Sequence, residues 1–306
     1  MLKKTKFTIF LVFKIIQNKP RFLFWLLVRF FSALLPLLTI YLFSKIISEI
    51  EIKAIFSSIF FLVLLTLFVR LLDNYSRLRS IFKLDECISD IGFDIHNFFS
   101  KDLQAETTEE RHQSIQAIRN FADASSITLS LFRQPGVDSI VSLFMIPAIL
   151  FFVDFKVFVL EIAYILVYMV IDYYTTQKYV RFRDIQNTKI ETYYGKFQES
   201  NDVELEQKTF TRHFTRLCNW NFIEWTLLQN SAVVFYVIIL AYCILATTTG
   251  YKHISDVVLI MGYVTSTQTF LNSFSDIKDS LANMTVAVDH LAKNKSISVI
   301  DLDDLV

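Results

Sequence analysis

Apolar residues in this chain fall into long blocks, and charged residues gather between the blocks rather than within them. Phe22 to Ile47 is long and apolar enough to cross a hydrocarbon layer of about 30 Å. Ile55 to Leu72 forms a second block. Ile140 to Val153 and Val157 to Ile171 are shorter, and only Asp154, Phe155 and Lys156 separate them, the pattern of a helical hairpin with a tight turn. Ala232 to Ala246 is a fifth block, and Val257 to about Phe270 a more polar sixth. The pattern predicts an all-α membrane protein with six transmembrane helices.

Between blocks the helical rhythm does not stop. Leu84, Ile88, Ile91, Ile95 and Phe98 recur at steps of three and four, the spacing that puts side chains on one helix face. From Ile55 to Thr107 there is no Pro and one Gly, Gly92, and between Phe155 and Gly195 there is neither. A continuous helix from Ile55 to Asp102 would run roughly 70 Å at 1.5 Å per residue, so about half of it lies beyond the bilayer. Long extramembrane extensions are therefore expected.

The placement of Lys and Arg gives the expected orientation. The N-terminal segment carries Lys3, Lys4, Lys6, Lys14, Lys19 and Arg21. The segment after the second block carries seven basic residues from Arg77 to Arg133, and the segment after the fourth carries eight from Lys178 to Arg216. The three opposite turns hold only Lys53, Lys156 and Lys252. Both termini and both long loops are expected in the cytoplasm, and a bacterial inner (plasma) membrane is the expected location. Residues 2–20 fit an amphipathic helix on the membrane surface better than a signal peptide, because Lys14 and Lys19 interrupt the apolar run.

Composition supports a lipid solvent: 53% of residues are hydrophobic, with 31 Phe and 13 Tyr. Thirty basic residues balance 30 acidic ones, so no global field attracts nucleic acid. Cys87, Cys218 and Cys243 lie far apart, with no C-x-x-C and no His at ligand spacing, which argues against a disulfide framework and a zinc site. The five histidines form no H-E-x-x-H, and no metal ligands are expected. No stretch resembles a channel selectivity filter.

Polar residues inside a bilayer face protein or water. In the first block Arg29, Ser32, Pro36 and Thr39 share a helix face and are candidates to line a translocation path, although Arg29 lies close enough to the block's end to snorkel. Thr265, Gln268, Thr269 and Asn272 make the sixth block the most polar and extend that candidate path. Glu161 sits one turn from the outer surface, with snorkelling again the competing reading. Arg70 and Asp73, at i and i+3, are expected to pair with each other.

Two local stretches carry a family resemblance. "TTEERHQSIQAIRNFADASS", residues 107–126, contains Gln116, Ile118, Arg119 and Phe121 in the places of a segment E-x-I-R-x-F. "YYGKFQESNDVELEQKTF", residues 193–210, keeps Glu199 and Ser200 of E-[ST]-L-x-G-I-x-x-V-K and lacks the Gly and the V-K pair. Ala287, His290 and Leu291 outline the exit of a sixth span without its usual Arg. With six spans, a surface helix and long extensions, the chain resembles the transmembrane domain of a type I ABC exporter, of the kind that exports peptides or proteins.

The resemblance implies an elbow helix over residues 2–20, a six-helix transmembrane domain over residues 21–293 and a short tail over residues 294–306. It implies that Glu109, Glu110, Arg111, His112 and Gln116, and Phe197, Gln198, Glu199 and Ser200, form two coupling surfaces for an ATPase. It implies a second transmembrane domain, as a homodimer or paired homologue. No nucleotide-binding domain is read in the tail, and the five glycines are too widely spaced for G-x-x-x-x-G-K-[ST], the closest two being Gly250 and Gly262. The chain itself is not expected to be an enzyme or to hold a cofactor. ATP and Mg²⁺ would sit on a partner ATPase, leaving three readings open: an exporter subunit with a separately encoded ATPase, an ATPase-less scaffold, immunity or regulatory protein, and a fragment of a longer fused transporter.

Overall fold

The structure, a computed structural model, describes Ile16 and residues 19–100, 108–199 and 204–293. Every regular element among the described residues is helical. In chain order these are α1 (Pro20–Ser32), α2 (Leu35–Glu51), α3 (Phe56–Ser100), α4 (Thr108–Leu131), a π turn (Phe132–Gly136), α5 (Val137–Val153), α6 (Phe155–Glu199), α7 (Glu204–Thr248) and α8 (Ile254–Lys293). The all-α expectation holds.

Four helical stretches are long and apolar enough to cross a membrane: Pro20–Glu51, Phe56–Ser100, Ser114–Val153 and Gln207–Thr248. This is the composition of an integral membrane protein. Two of the six expected spans are not among them. The helix α6 is interrupted by Lys156, Glu161 and Asp172, and α8 by its hydroxyl-rich run from Thr265 to Ser275.

The first expected span is divided. Between α1 and α2 the helix breaks at Ala33 and Leu34, and Pro36 stands in the first turn of α2. Proline has no N–H for the carbonyl of Ser32 and its ring crowds that carbonyl, so the break falls where the ladder fails. A second break lies ahead of α5. There Gln134 takes an extended conformation (φ −158°, ψ 121°), the geometry Pro135 imposes on the residue before it.

By contact, the described chain forms two units, one within Met1–Ile149 and Cys243–Val306, the other Leu150–Tyr242. In the first, α3 packs on α1, α2 and α4, while α8 packs on α2 and α4. One core of this unit joins Phe22 of α1 to Leu84, Ile88, Ile91, Ile95 and Phe99 of α3, Ile118 and Phe121 of α4, and Met284, Val288 and Leu291 of α8. The expected stripe on α3 is present with one change at its end. Phe99 is fully buried while Phe98 is 51% exposed, because four residues on from Ile95 stays closer to the buried face than three.

In the same unit α2 and α8 run antiparallel. Gly262 faces Ile40, Tyr263 Oη donates to the Leu37 carbonyl at 3.2 Å, and Ser44 Oγ donates to the Ser255 carbonyl at 2.8 Å. Glu51 closes the pair by accepting the N–H of Ile254 at 3.0 Å, satisfying one of the free donors at the start of α8. Glycine is needed at position 262: a Cβ there would stand 2.7 Å from Ile40 Cγ2.

The second unit is built on the antiparallel pair α6 and α7. Contacts step along both helices in opposite directions: Asp154 with Tyr242, Tyr164 with Phe235, Thr175 with Glu224, and Phe182 with Trp220. Asp154 makes the expected tight turn. Its Oδ1 accepts the N–H groups of Lys156 (2.8 Å) and Val157 (3.2 Å) and so caps α6, while Oδ2 accepts from Tyr242 Oη at 3.0 Å. The long continuous helices are present: α3, α6 and α7 are each 45 residues long, roughly 68 Å at 1.5 Å per residue.

Candidate functional site

Arg29 is the polar group whose surroundings are most fully specified. Its side chain is 0% exposed and pairs with Asp138 in the first turn of α5. A second nitrogen, Nη1, donates to Ser32 Oγ at 2.9 Å. Arg77 of α3 approaches the same Asp138 oxygen at 3.4 Å and donates through Nε to Asp73 Oδ1 at 3.2 Å. The expected Arg70–Asp73 pair is present at 3.6 Å, longer than the Arg77 contact. Two buried carboxylates thus alternate with two guanidiniums across α1, α3 and α5, and Arg70 approaches the network from its exposed side. Arg133, within the π turn, pairs with Asp85 of α3.

This geometry explains how a charge is kept at that depth. An isolated guanidinium in a low-dielectric medium costs several kcal/mol, and an ion pair with further hydrogen bonds offsets most of it. Asp138 was not anticipated. The signal was present nonetheless: it is the one acid in Val137–Val153, and a buried Arg29 requires a counter-charge.

The other candidate path residues divide by exposure. Ser32 is buried beside Arg29, its hydroxyl donating to the Arg29 carbonyl at 2.9 Å. Thr39 is half-buried and donates to the Leu35 carbonyl at 3.0 Å. On α8, Thr265 and Thr269 are exposed, and Gln268 and Asn272 are half-buried. Ser266, Thr269 and Ser273 donate to the carbonyls of Gly262, Thr265 and Thr269 at 2.9, 3.1 and 3.1 Å. Hydroxyls bonded back to their own helix are satisfied without a neighbour, so this row presents methyl and hydroxyl groups at low cost. The buried contact between Thr128 and Ser280, at 2.9 Å, ties α4 to the far half of α8.

The residues implied as coupling surfaces lie at helix ends. Glu109, Glu110, Arg111 and His112 belong to the first turns of α4 itself, which starts at Thr108. Gln116 is exposed and donates to Asn120 Oδ1 at 2.9 Å. Phe197, Gln198 and Glu199 form the last turn of α6; Ser200 lies outside the described residues, and α7 begins at Glu204. The stretch implied as the second coupling surface is therefore largely taken up by the ends of α6 and α7. The elbow helix and the tail also lie almost wholly outside the described residues.

Among the described residues no group of three or more His, Cys, Asp or Glu is placed to hold a metal ion, and all three cysteines are free thiols. A scan against protein-family models finds no match to this chain, and a search of curated proteins finds none.

Proposed function

We propose that the chain is the transmembrane subunit of an ABC-type exporter, forming the translocation path and driven by a separately encoded ATPase. In this reading α6 and α8 complete six spans, both termini are cytoplasmic, the membrane is the bacterial inner membrane, and two transmembrane domains enclose the path. One observation carries it. Three helices of 45 residues, far longer than a bilayer needs, each have a short connection at one of their own ends (Ile52–Ile55, Asp154 and Thr249–His253), and the basic residues of each gather away from that connection. Such helices transmit movement from a cytoplasmic partner because a packed helix moves as a rigid element.

The four residues between α6 and α7 favour a second reading. They leave little room for a separate docking helix, so the exporter architecture would serve as a scaffold, immunity or regulatory protein with no ATPase.

The test is purification of the tagged chain in mild detergent, with the eluate assayed for ATP hydrolysis. A co-purifying P-loop protein, lost when residues 109–116 are replaced by Gly and Ser, supports the exporter subunit. A clean oligomer of this chain with no ATPase sinks it and leaves the second reading.

A further inference from the structure

Along α6 the residues Glu161, Tyr164, Tyr168, Asp172 and Thr175 recur at steps of three and four. All five are buried, at 0%, 0%, 1%, 5% and 5% exposure. They form one protonatable stripe about 21 Å long at 1.5 Å per residue, within the six-span reading most of the depth of a bilayer. At its inner end Thr175 Oγ1 donates to Glu224 Oε1 of α7 at 2.6 Å, and Glu224 is itself buried. At its outer end Glu161 lies two turns from the Asp154 cap.

Buried acids alone do not make a site. The second observation is the hydroxyl of Tyr164, which has no hydrogen-bond partner although the residue is fully buried. Its ring sits between Tyr168, at 6.2 Å, and Phe235 of α7, at 5.3 Å, which holds it inside the stripe. The hydroxyl of Thr176, one residue on from Thr175, is likewise buried and unpartnered. A buried hydroxyl left without a partner is costly, and a bound water removes that cost.

The electrostatic surroundings match. From Val157 to Gln177 the charged residues of α6 are Glu161 and Asp172; from Glu224 to Thr248 the one charged residue of α7 is Glu224. The titratable groups that α7 adds there are Tyr236, Tyr242 and Cys243. Lys156 lies above the stripe over the Tyr242 ring, and Lys178 lies below it over Trp220. The stripe is acidic, with bases at its two ends.

We propose that the α6–α7 hairpin conducts protons, with Glu161 as the outer acceptor, the Tyr164 and Tyr168 hydroxyls with bound water as relays, and Asp172 and Glu224 as inner donors. Each passage takes one proton from water on one side and releases one on the other, and every carboxyl returns to its starting state. The proposal rests on α6 crossing the membrane, as in the six-span reading, and needs no ATPase.

The test uses the full chain in phospholipid vesicles holding a trapped pH-sensitive dye, with a potassium gradient and valinomycin to drive protons and no nucleotide present. Internal pH is expected to change faster than in protein-free vesicles, Glu161→Gln to bring the rate down to the protein-free level, and Glu161→Asp to retain part of it. Tyr164→Phe removes a hydroxyl that holds nothing in place, so this variant keeps the fold and is expected to slow the flux. Wild-type flux at the protein-free rate overturns the proposal, as does wild-type flux in both Glu161→Gln and Tyr164→Phe. Crossing is read separately, by labelling Lys156→Cys in a chain whose native cysteines are serine, using an impermeant maleimide. Labelling from outside with no flux refutes the proton path alone; labelling only after lysis removes the six-span reading with it.

Discussion

Asp138→Ala tests whether the buried charge network holds the fold of its unit. The substitution leaves the guanidiniums of Arg29 and Arg77 facing a single buried carboxylate, Asp73, and Arg29 is 0% exposed. Breaking a buried pair from one side costs about 3–5 kcal/mol, because the remaining charge stays desolvated. Arg29→Met should cost less, about 1–3 kcal/mol, since Asp138 keeps its contact with Arg77. The double variant Arg29→Met with Asp138→Leu should melt above Asp138→Ala, because it removes the stranded charge. A coupling of about 0.5–3 kcal/mol between the two sites is expected. Cys87 and Cys243 are buried free thiols, so a thiol-reactive dye reports unfolding in detergent against the constant signal of exposed Cys218. The loss in Asp138→Ala corresponds to a fall in melting temperature on the order of 10 °C. Wild-type melting in Asp138→Ala, or strictly additive losses in the double variant, would show that the charges do not depend on one another.

Gly262→Leu should destabilise the α2–α8 contact by roughly 1–3 kcal/mol, since its Cβ alone would lie 2.7 Å from Ile40 Cγ2; adding Ile40→Ala should recover part of the loss in the same melting assay. Asp154→Ala should cost about 1–2 kcal/mol by removing the α6 cap and the Tyr242 bond together. Asp154→Asn, which keeps an acceptor oxygen for the cap, should cost less; equal melting of the two variants would assign the stability elsewhere.

Helix existence, length and the hairpin turn at Asp154 were legible because they follow from composition within one segment. A helical rhythm with no Pro, and with a single Gly in each of α3 and α6, admits one regular structure, and both helices end within a few residues of where it ends. The break at Ala33–Leu34 follows from Pro36 as a missing donor, a property that its place on the helix face of Arg29 does not reveal. Phe98 stands in the expected stripe in place of Phe99 because steps of three and four are equivalent on paper and become distinct only when a facing helix fixes the angle. Pairings between segments were the least legible. Nothing near Arg29 in sequence points to Asp138, 109 residues away, because which charges meet depends on helix packing. Burial was the other missing quantity: Glu161 and Asp172 look like isolated groups near membrane ends until their exposures are known.

Three polar arrangements sit in or beside the apolar segments, and charge balance separates their roles. In the Arg29 network, carboxylates and guanidiniums alternate across three helices, so it can stay buried and charged, and its contribution is to fix helix positions. The hydroxyl row on α8 is neutral and bonded to its own backbone, so exposing it costs little and a wet or a dry neighbour is equally tolerated. The α6–α7 stripe is built differently. It places Glu161, Asp172 and Glu224, all buried, in one row with the buried Tyr164 hydroxyl. The proposed proton path asks of Glu161 what the Arg29 network does not ask of its charges, that a buried group exchange its proton with water.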